Sequence, residues 1–135
     1  MSENSLSGWF AAAKAGDLAG LTQGVNAGVD INARDEKQNT ALHWASKFHH
    51  HDCMRYLIDN GADVDTTNDR DDTPLHIAER NEGAIRILLE AGSDPNKLNK
   101  DYNYPYYFAF YGAMTPEITA LYIKHGANLI YKKDM

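Results

Sequence analysis

TALHWAS, residues 40–46, and TPLHIAE, residues 73–79, are one phrase written twice, 33 positions apart. Thr, Leu, His and Ala recur in register. Another 33 positions before Thr40, Ser7 opens SGWFAAA; 31 positions after Thr73, Tyr104 opens YPYYFAF. The sixth residue of all four segments is alanine: Ala12, Ala45, Ala78 and Ala109. A second phrase keeps the same beat. GVDIN begins at Gly28, GADVD at Gly61, GSDPN at Gly92 and GANLI at Gly126, spaced 33, 31 and 34.

Between the two phrases lies an apolar stripe. Cys53, Met54, Leu57 and Ile58 occupy one face of a helix. The same slots hold Ala84, Ile85, Leu88 and Leu89, then Ile118, Thr119, Tyr122 and Ile123. Their weakest version is Gly20, Leu21, Gly24 and Val25. Each unit therefore reads as a short helix, a tight turn, a second helix and a Gly-led exit. Gly28, Gly61, Gly92 and Gly126 suit left-handed helix C-caps, where a Cβ is costly. Thr40 and Thr73 suit N-caps, with Pro74 at the first helical position. Thr115, Pro116 and Glu117 repeat that start signal.

The period near 33 and TPLHIA, Thr73 to Ala78, resemble the ankyrin repeat. GADVD, Gly61 to Asp65, resembles that repeat's helix exit and hairpin start. The resemblance covers about residues 7–131 and is strongest in the two central units. It implies an all-α solenoid of stacked helix-turn-helix units with projecting β-hairpin loops. The expected units are 7–36, 37–69, 70–100 and 101–131, in a single domain over 1–135, with 1–5 as a flexible N-terminus. One unit cannot bury its apolar face alone, so neighbours share a core.

The departures carry expectations of their own. Trp9 and Phe10 fill the Leu and His slots of the first unit, and Tyr106 and Tyr107 those of the last, as atypical caps do. The third unit is two residues short where its helices join, around Arg80, Asn81 and Glu82. Pro95 stands where the neighbours have Ile31 and Val64, so its hairpin should be irregular. Gly20 and Gly24 should weaken the second helix of the first unit, making the amino-terminal pair the least stable.

His43 and His76 occupy the His slot of the motif, and the resemblance implies a scaffold role: tying helix starts to neighbouring loops, with Thr40 and Thr73 as partners. The run His49, His50, His51, Asp52, Cys53 looks like metal chemistry. A structural zinc site, however, needs about four convergent ligands. The repeat puts His49 and His50 in the inter-helix turn and His51 at the next helix start. Cys53 falls on the buried stripe, which also argues against a reactive thiol. The acidic run Asn68 to Asp72 lacks the glycine and distal glutamate of a calcium loop. No phosphate loop, paired-carboxylate motif or Ser-His-Asp pattern appears in its required context. Neither catalysis, metal nor cofactor is expected.

Composition narrows the function class. Hydrophobic residues make up 43% of the 135, enough for a core. Lys and Arg number 13 against 19 Asp and Glu, a net charge of −6, which argues against a nucleic-acid binder. One cysteine implies no internal disulfide. No secretory signal or membrane span is visible. The expectation is a cytoplasmic protein, monomeric on its own, with no membrane partner.

The resemblance implies protein recognition through the concave face and hairpin tips. The x slot of the motif holds Ala11, Trp44, Ile77 and Phe108. One turn further on lie Lys47 and Phe48, then Arg80, then Tyr111. The hairpin tips add Arg34, Glu36, Lys37 and Gln38, then Arg70, Asp71 and Asp72, then Lys100, Asp101 and Tyr102. An aromatic floor with a polar rim is the anatomy of a protein-binding surface. No further domain is expected beyond the last unit. A binder of this size would act by occupancy, as an inhibitor or immunity-type protein that neutralises an enzyme or toxin of basic or mixed-charge surface. The alternatives are an adaptor or scaffold, a secreted effector, or a metal protein built on the histidine run.

Overall fold

The computed structural model describes residues 3–110 and 115–128, with side chains over 6–107 and 115–128. Eight helices run through them in four pairs. These are α1 (Glu3–Ala15) with α2 (Leu18–Asn26), and α3 (Ala41–Lys47) with α4 (His51–Asp59). They are followed by α5 (Pro74–Ala78) with α6 (Glu82–Glu90), and α7 (Pro105–Phe110) with α8 (Pro116–Lys124). The first helices of successive pairs pack on one another as an inner layer. The second helices α2, α4, α6 and α8 form an outer layer. No strand occurs among the described residues.

Local chemistry explains where the helices begin. Thr40 accepts from the His43 N–H while the His43 ring accepts from the Thr40 N–H, closing a reciprocal cap on α3. Thr73 and His76 repeat it on α5, with Pro74 where a missing N–H is harmless. Asp17, Asn81 and Thr115 cap α2, α6 and α8 with side-chain oxygens. At the exits, Gly61 and Gly92 have φ near +98° and +99°. Nothing lies within 4 Å of a Cβ built there, so conformation rather than space calls for glycine.

The core lies between the two layers. Leu21, Leu42, Met54, Leu57, Leu75, Ile85 and Leu88 are buried, and Cys53 is buried among them. Trp9 seals the amino-terminal end at 2% exposure. A Cβ on Gly24 would lie 2.5 Å from the Trp9 ring. The glycine that lowers the helix propensity of α2 is thus what admits the indole.

Between pairs, the loops are fastened at both ends. At the helix-exit end, Asn32 accepts from the Asp63 N–H at 2.8 Å and donates to the Gly61 carbonyl at 3.2 Å. Asn96 does the same with the Asn128 N–H and the Gly126 carbonyl. Asp65, in the same slot, accepts from the Asp94 N–H at 2.9 Å but has no N–H for the Gly92 carbonyl. At the tips, the Asp69 N–H donates to the Lys37 carbonyl and the Lys100 N–H to the Arg70 carbonyl.

α1 begins at Glu3, within the 1–5 segment expected as a flexible N-terminus. Leu6 packs against the core and gives that first turn an anchor. The Pro95 loop was expected to be irregular, yet it repeats the turns of its neighbours: Asn96 N–H to the Asp94 carboxylate, and Asn99 N–H to the Asn103 carbonyl. The reason is that Ile31 and Val64 donate no backbone hydrogen bond among the described residues, so a proline in that slot forfeits nothing. The shortened third unit does show strain. α5 stops at Ala78, and Glu79 takes φ 52° and ψ −106° to turn the chain.

Leu75 is fully buried, at 0% exposure. Leu75→Ala should cost about 2–5 kcal/mol in urea unfolding. Asp65→Asn should supply the missing bond to Gly92 and gain about 1 kcal/mol. A lower melting temperature for Asp65→Asn would instead show that the charged acceptor matters more than the extra donor.

Candidate partner-binding groove

An open groove of about 540 Å³ runs between the inner helices and loop tips of the two central units. Trp44, Lys47 and Ile77 line its helical side, and Lys37, Asp69 and Arg70 its loop side. The Trp44 indole N–H donates to Asp35 at 2.9 Å, which fixes the ring. The same carboxylate accepts the N–H groups of Lys37 and Asn39, so one acid shapes the tip and orients the indole. Phe48 stacks beside Trp44, centroids 6.2 Å apart and planes 10° off parallel, and is 45% exposed. The Lys14 ammonium lies 4.4 Å from the Trp44 centroid, and that of Lys47 5.5 Å.

The motif histidines line the groove but are fully engaged. Since the Thr40 N–H donates to His43 Nδ1, the ring proton sits on Nε2 and is donated to the Asp72 carbonyl at 2.8 Å. His76 takes the Thr73 N–H and gives its own to the Asn103 carbonyl at 2.9 Å. Burial pulls the His43 pKa down to about 4, against the opposing pull of the Asp72 carbonyl. Burial lowers His76 too. Both rings are therefore neutral ties.

The histidine run splits three ways. His49 makes the turn at φ 62°. His50 Nε2 reaches back to the Lys14 carbonyl at 2.9 Å. His51 Nε2 reaches forward to the Asn81 side chain at 2.8 Å. Among the described residues, no three His, Cys, Asp or Glu side chains converge on a metal-sized site. The Cys53 thiol is pushed up, first by burial and then by Asp52 and Asp17, away from thiolate chemistry.

The candidate contact residues divide by what they already hold. Lys47, Phe48 and Arg80 are exposed at the inner helix ends, and Ile77 is half-buried in the floor. Glu36, Gln38 and Tyr102 are exposed at the tips, Tyr102 at 77%. Arg34 is instead a tie, donating to the carbonyls of Thr67 and Gln38. Asp72 is half-buried and accepts from Asn99 at 2.8 Å, with Arg70 at 3.9 Å. Arg70 also bridges to Asp101 at 3.1 Å. The Phe108 side chain and Tyr111 lie outside the described residues.

Sequence reasoning passed over two features. One is the acceptor ladder at the tips: Asp35, Asn68 and Asn99 each accept the N–H groups two and four positions on. Its signal was visible as Asp or Asn recurring at intervals of 33 and 31. The other is Lys14, which belongs to the first unit but sits over the aromatic floor of the second. Only the stacking of α1 on α3 brings it there.

Comparison with known proteins agrees with this geometry. A family model described as ankyrin repeats (3 copies) matches residues 9–99, leaving out α7 and α8. The palmitoyltransferase Hip14 of Drosophila melanogaster is 39% identical over 83 residues, 59% of this chain and 13% of that protein. Ankyrin repeat domain-containing protein 40 of Mus musculus is 35% identical over 79 residues, 58% of this chain and 21% of that protein. Human neurogenic locus notch homolog protein 1 is 41% identical over 54 residues, 40% of this chain and 2% of that protein. The chain thus spans between 2% and 21% of the length of these relatives. No helix among the described residues is long and apolar enough to cross a membrane.

The neutral histidines set a pH dependence. An unfolded histidine titrates at about 6.5, whereas folded His43 resists protonation until about pH 4. Between those values the unfolded chain binds the proton and the folded chain does not. Stability is therefore full above pH 6.5 and is lost as pH falls toward 4, by about 3 kcal/mol at most from His43. Urea unfolding between pH 6.5 and 5 should show this slope, and His43→Gln should flatten it.

Proposed function

We propose, from the premise that the chain belongs to the ankyrin-repeat family, that it recognises a partner protein through the central groove and the loop tips. Ankyrin repeats are protein–protein interaction modules and generally non-catalytic. The observation that carries the reading is the Trp44–Phe48 stack: Trp44 is fixed by Asp35 and lines the groove, and Phe48 beside it is exposed. A pre-oriented aromatic pair with a polar rim needs little ordering on binding, and aromatic side chains often anchor interfaces.

The finer proposal is that binding itself is the activity. The chain would act as an inhibitor or immunity-type protein that occupies an enzyme or toxin of mixed surface charge. Supporting this, the two motif histidines of the groove, His43 and His76, are spent on structural bonds. The second reading is an adaptor, favoured by the separate, strongly exposed Tyr102 at the third tip.

Capture from native extract separates the two. One recovered enzyme whose activity falls as this chain is added supports the inhibitor. Several unrelated partners, or one with unchanged activity, support the adaptor. In either case Trp44→Ala and Phe48→Ala should each weaken binding by about tenfold or more. Phe48→Ala should leave the melting temperature nearly unchanged. If both variants bind as the parent does, the groove is not the contact surface.

A further inference from the structure

Lys14, Lys47 and Arg80 stand 33 positions apart in one slot of three successive units, and all are exposed. Lys14 and Lys47 lie in the last turns of α1 and α3, and Arg80 in the turn after α5. Among the described residues none has a carboxylate partner within ion-pair distance. Arginines of the outer helices do. Arg55 reaches Asp52 at 3.4 Å, and Arg86 reaches Glu82 at 3.6 Å. On a chain of net charge −6, cations are left unpaired along this inner row.

Two of the three gather at one ring, the Lys14 and Lys47 ammoniums lying 4.4 and 5.5 Å from the Trp44 centroid. The ring face attracts each of them. Holding both there also sets like charges against each other. A carboxylate entering beside the ring would relieve that repulsion, and exposed Phe48 offers apolar contact next to it.

We propose that the ladder of Lys14, Lys47 and Arg80, with Trp44 and Phe48, seats an extended acidic segment of the partner protein. This rests on the protein-recognition reading and names the partner's chemistry. Carboxylates face the cations, and an aromatic or aliphatic side chain covers Phe48. Packed helices lie about 8–10 Å apart, and an extended chain advances about 3.3 Å per residue. Acidic residues about three positions apart therefore match successive rungs. Glu79, in the groove lining, is the chain neighbour of Arg80, so the Lys14–Lys47 end is the stronger half. A nucleic acid fits less well. Its continuous phosphate charge would meet Glu36, Asp69, Asp71 and Asp101 at the tips, where a peptide can place neutral residues.

The test pans random displayed peptides against the whole chain and against Lys14→Gln/Lys47→Gln, with Arg55→Gln as an outer-face control. Expected is enrichment of Asp and Glu near an aromatic residue. The best peptide, synthesised, should bind the double variant about tenfold more weakly and the control unchanged. Melting curves check that the variants fold; should the double variant melt early, Lys14→Gln alone carries the comparison. Selection of neutral or basic peptides overturns the proposal while leaving protein recognition standing. Panning that selects nothing, or an acidic peptide held equally by the lysine variants, overturns it too. So does tighter binding of a thymidine oligonucleotide at physiological ionic strength.

Discussion

The Nε2 proton of His43 goes to the carbonyl of Asp72, 29 positions along the chain, and His76 repeats the bond to Asn103. Each fastens the helix start of one unit to the loop of the next. A unit of this size buries too little surface to fold by itself, so the joint between units is where stability is made. The joint is anchored three times. The histidine holds the middle, the Asn32 and Asp65 side chains hold the helix-exit end, and tip-to-tip backbone bonds hold the other. Together these keep the inner helices in contact, and the groove is the space they leave open.

Strain is distributed unevenly over this frame. Gln38, Asp71 and Tyr102 share one slot at the three tips, with φ of 67°, 58° and 60°. A glycine would adopt that backbone at lower cost. All three instead carry exposed side chains. The left-handed backbone there closes each tip turn, the N–H of Gln38, Asp71 and Tyr102 donating to the carbonyl three residues before. At Glu79 the cause is different: the two-residue shortening of the third unit leaves no room for a relaxed turn.

Much of the fold was legible because a solenoid writes its structure into its period. Thr40, His43, Thr73 and His76 could be placed by counting, and the stripe from Cys53 to Ile58 announced its buried face. The groove was less legible, for two physical reasons. Its residues come from different units, so Lys14 meets Trp44 only through stacking that no local pattern encodes. Polar residues at the tips also look alike in sequence whether free or engaged. Arg34 and Asp72 read as contact residues, and the structure also gives them bonds to the Thr67 carbonyl and the Asn99 amide that the sequence did not announce. The Pro95 loop was misjudged for a related reason. Proline disrupts only where its N–H would have been used, and that slot does not use it.

Net charge is a poor guide to what such a chain binds. Asp30, Asp63 and Asp94 each accept the backbone N–H two residues on at the helix exits. Asp35 accepts two more at the first tip as well as the Trp44 indole. These carboxylates serve as turn-forming acceptors, a task asparagine performs equally well at Asn68 and Asn99. Their charge is thus a by-product of the repeat's demand for acceptors and belongs to the loops. The inner helix ends have no such demand, and there Lys14, Lys47 and Arg80 are exposed, with Glu79 next to Arg80. A whole-chain value of −6 points toward a basic partner, whereas the groove lining is mixed, with Lys37, Lys47 and Arg70 against Asp69, Asp72 and Glu79. The field a docking segment meets is that of the groove, because at physiological ionic strength exposed charges more than about 8 Å away are largely screened.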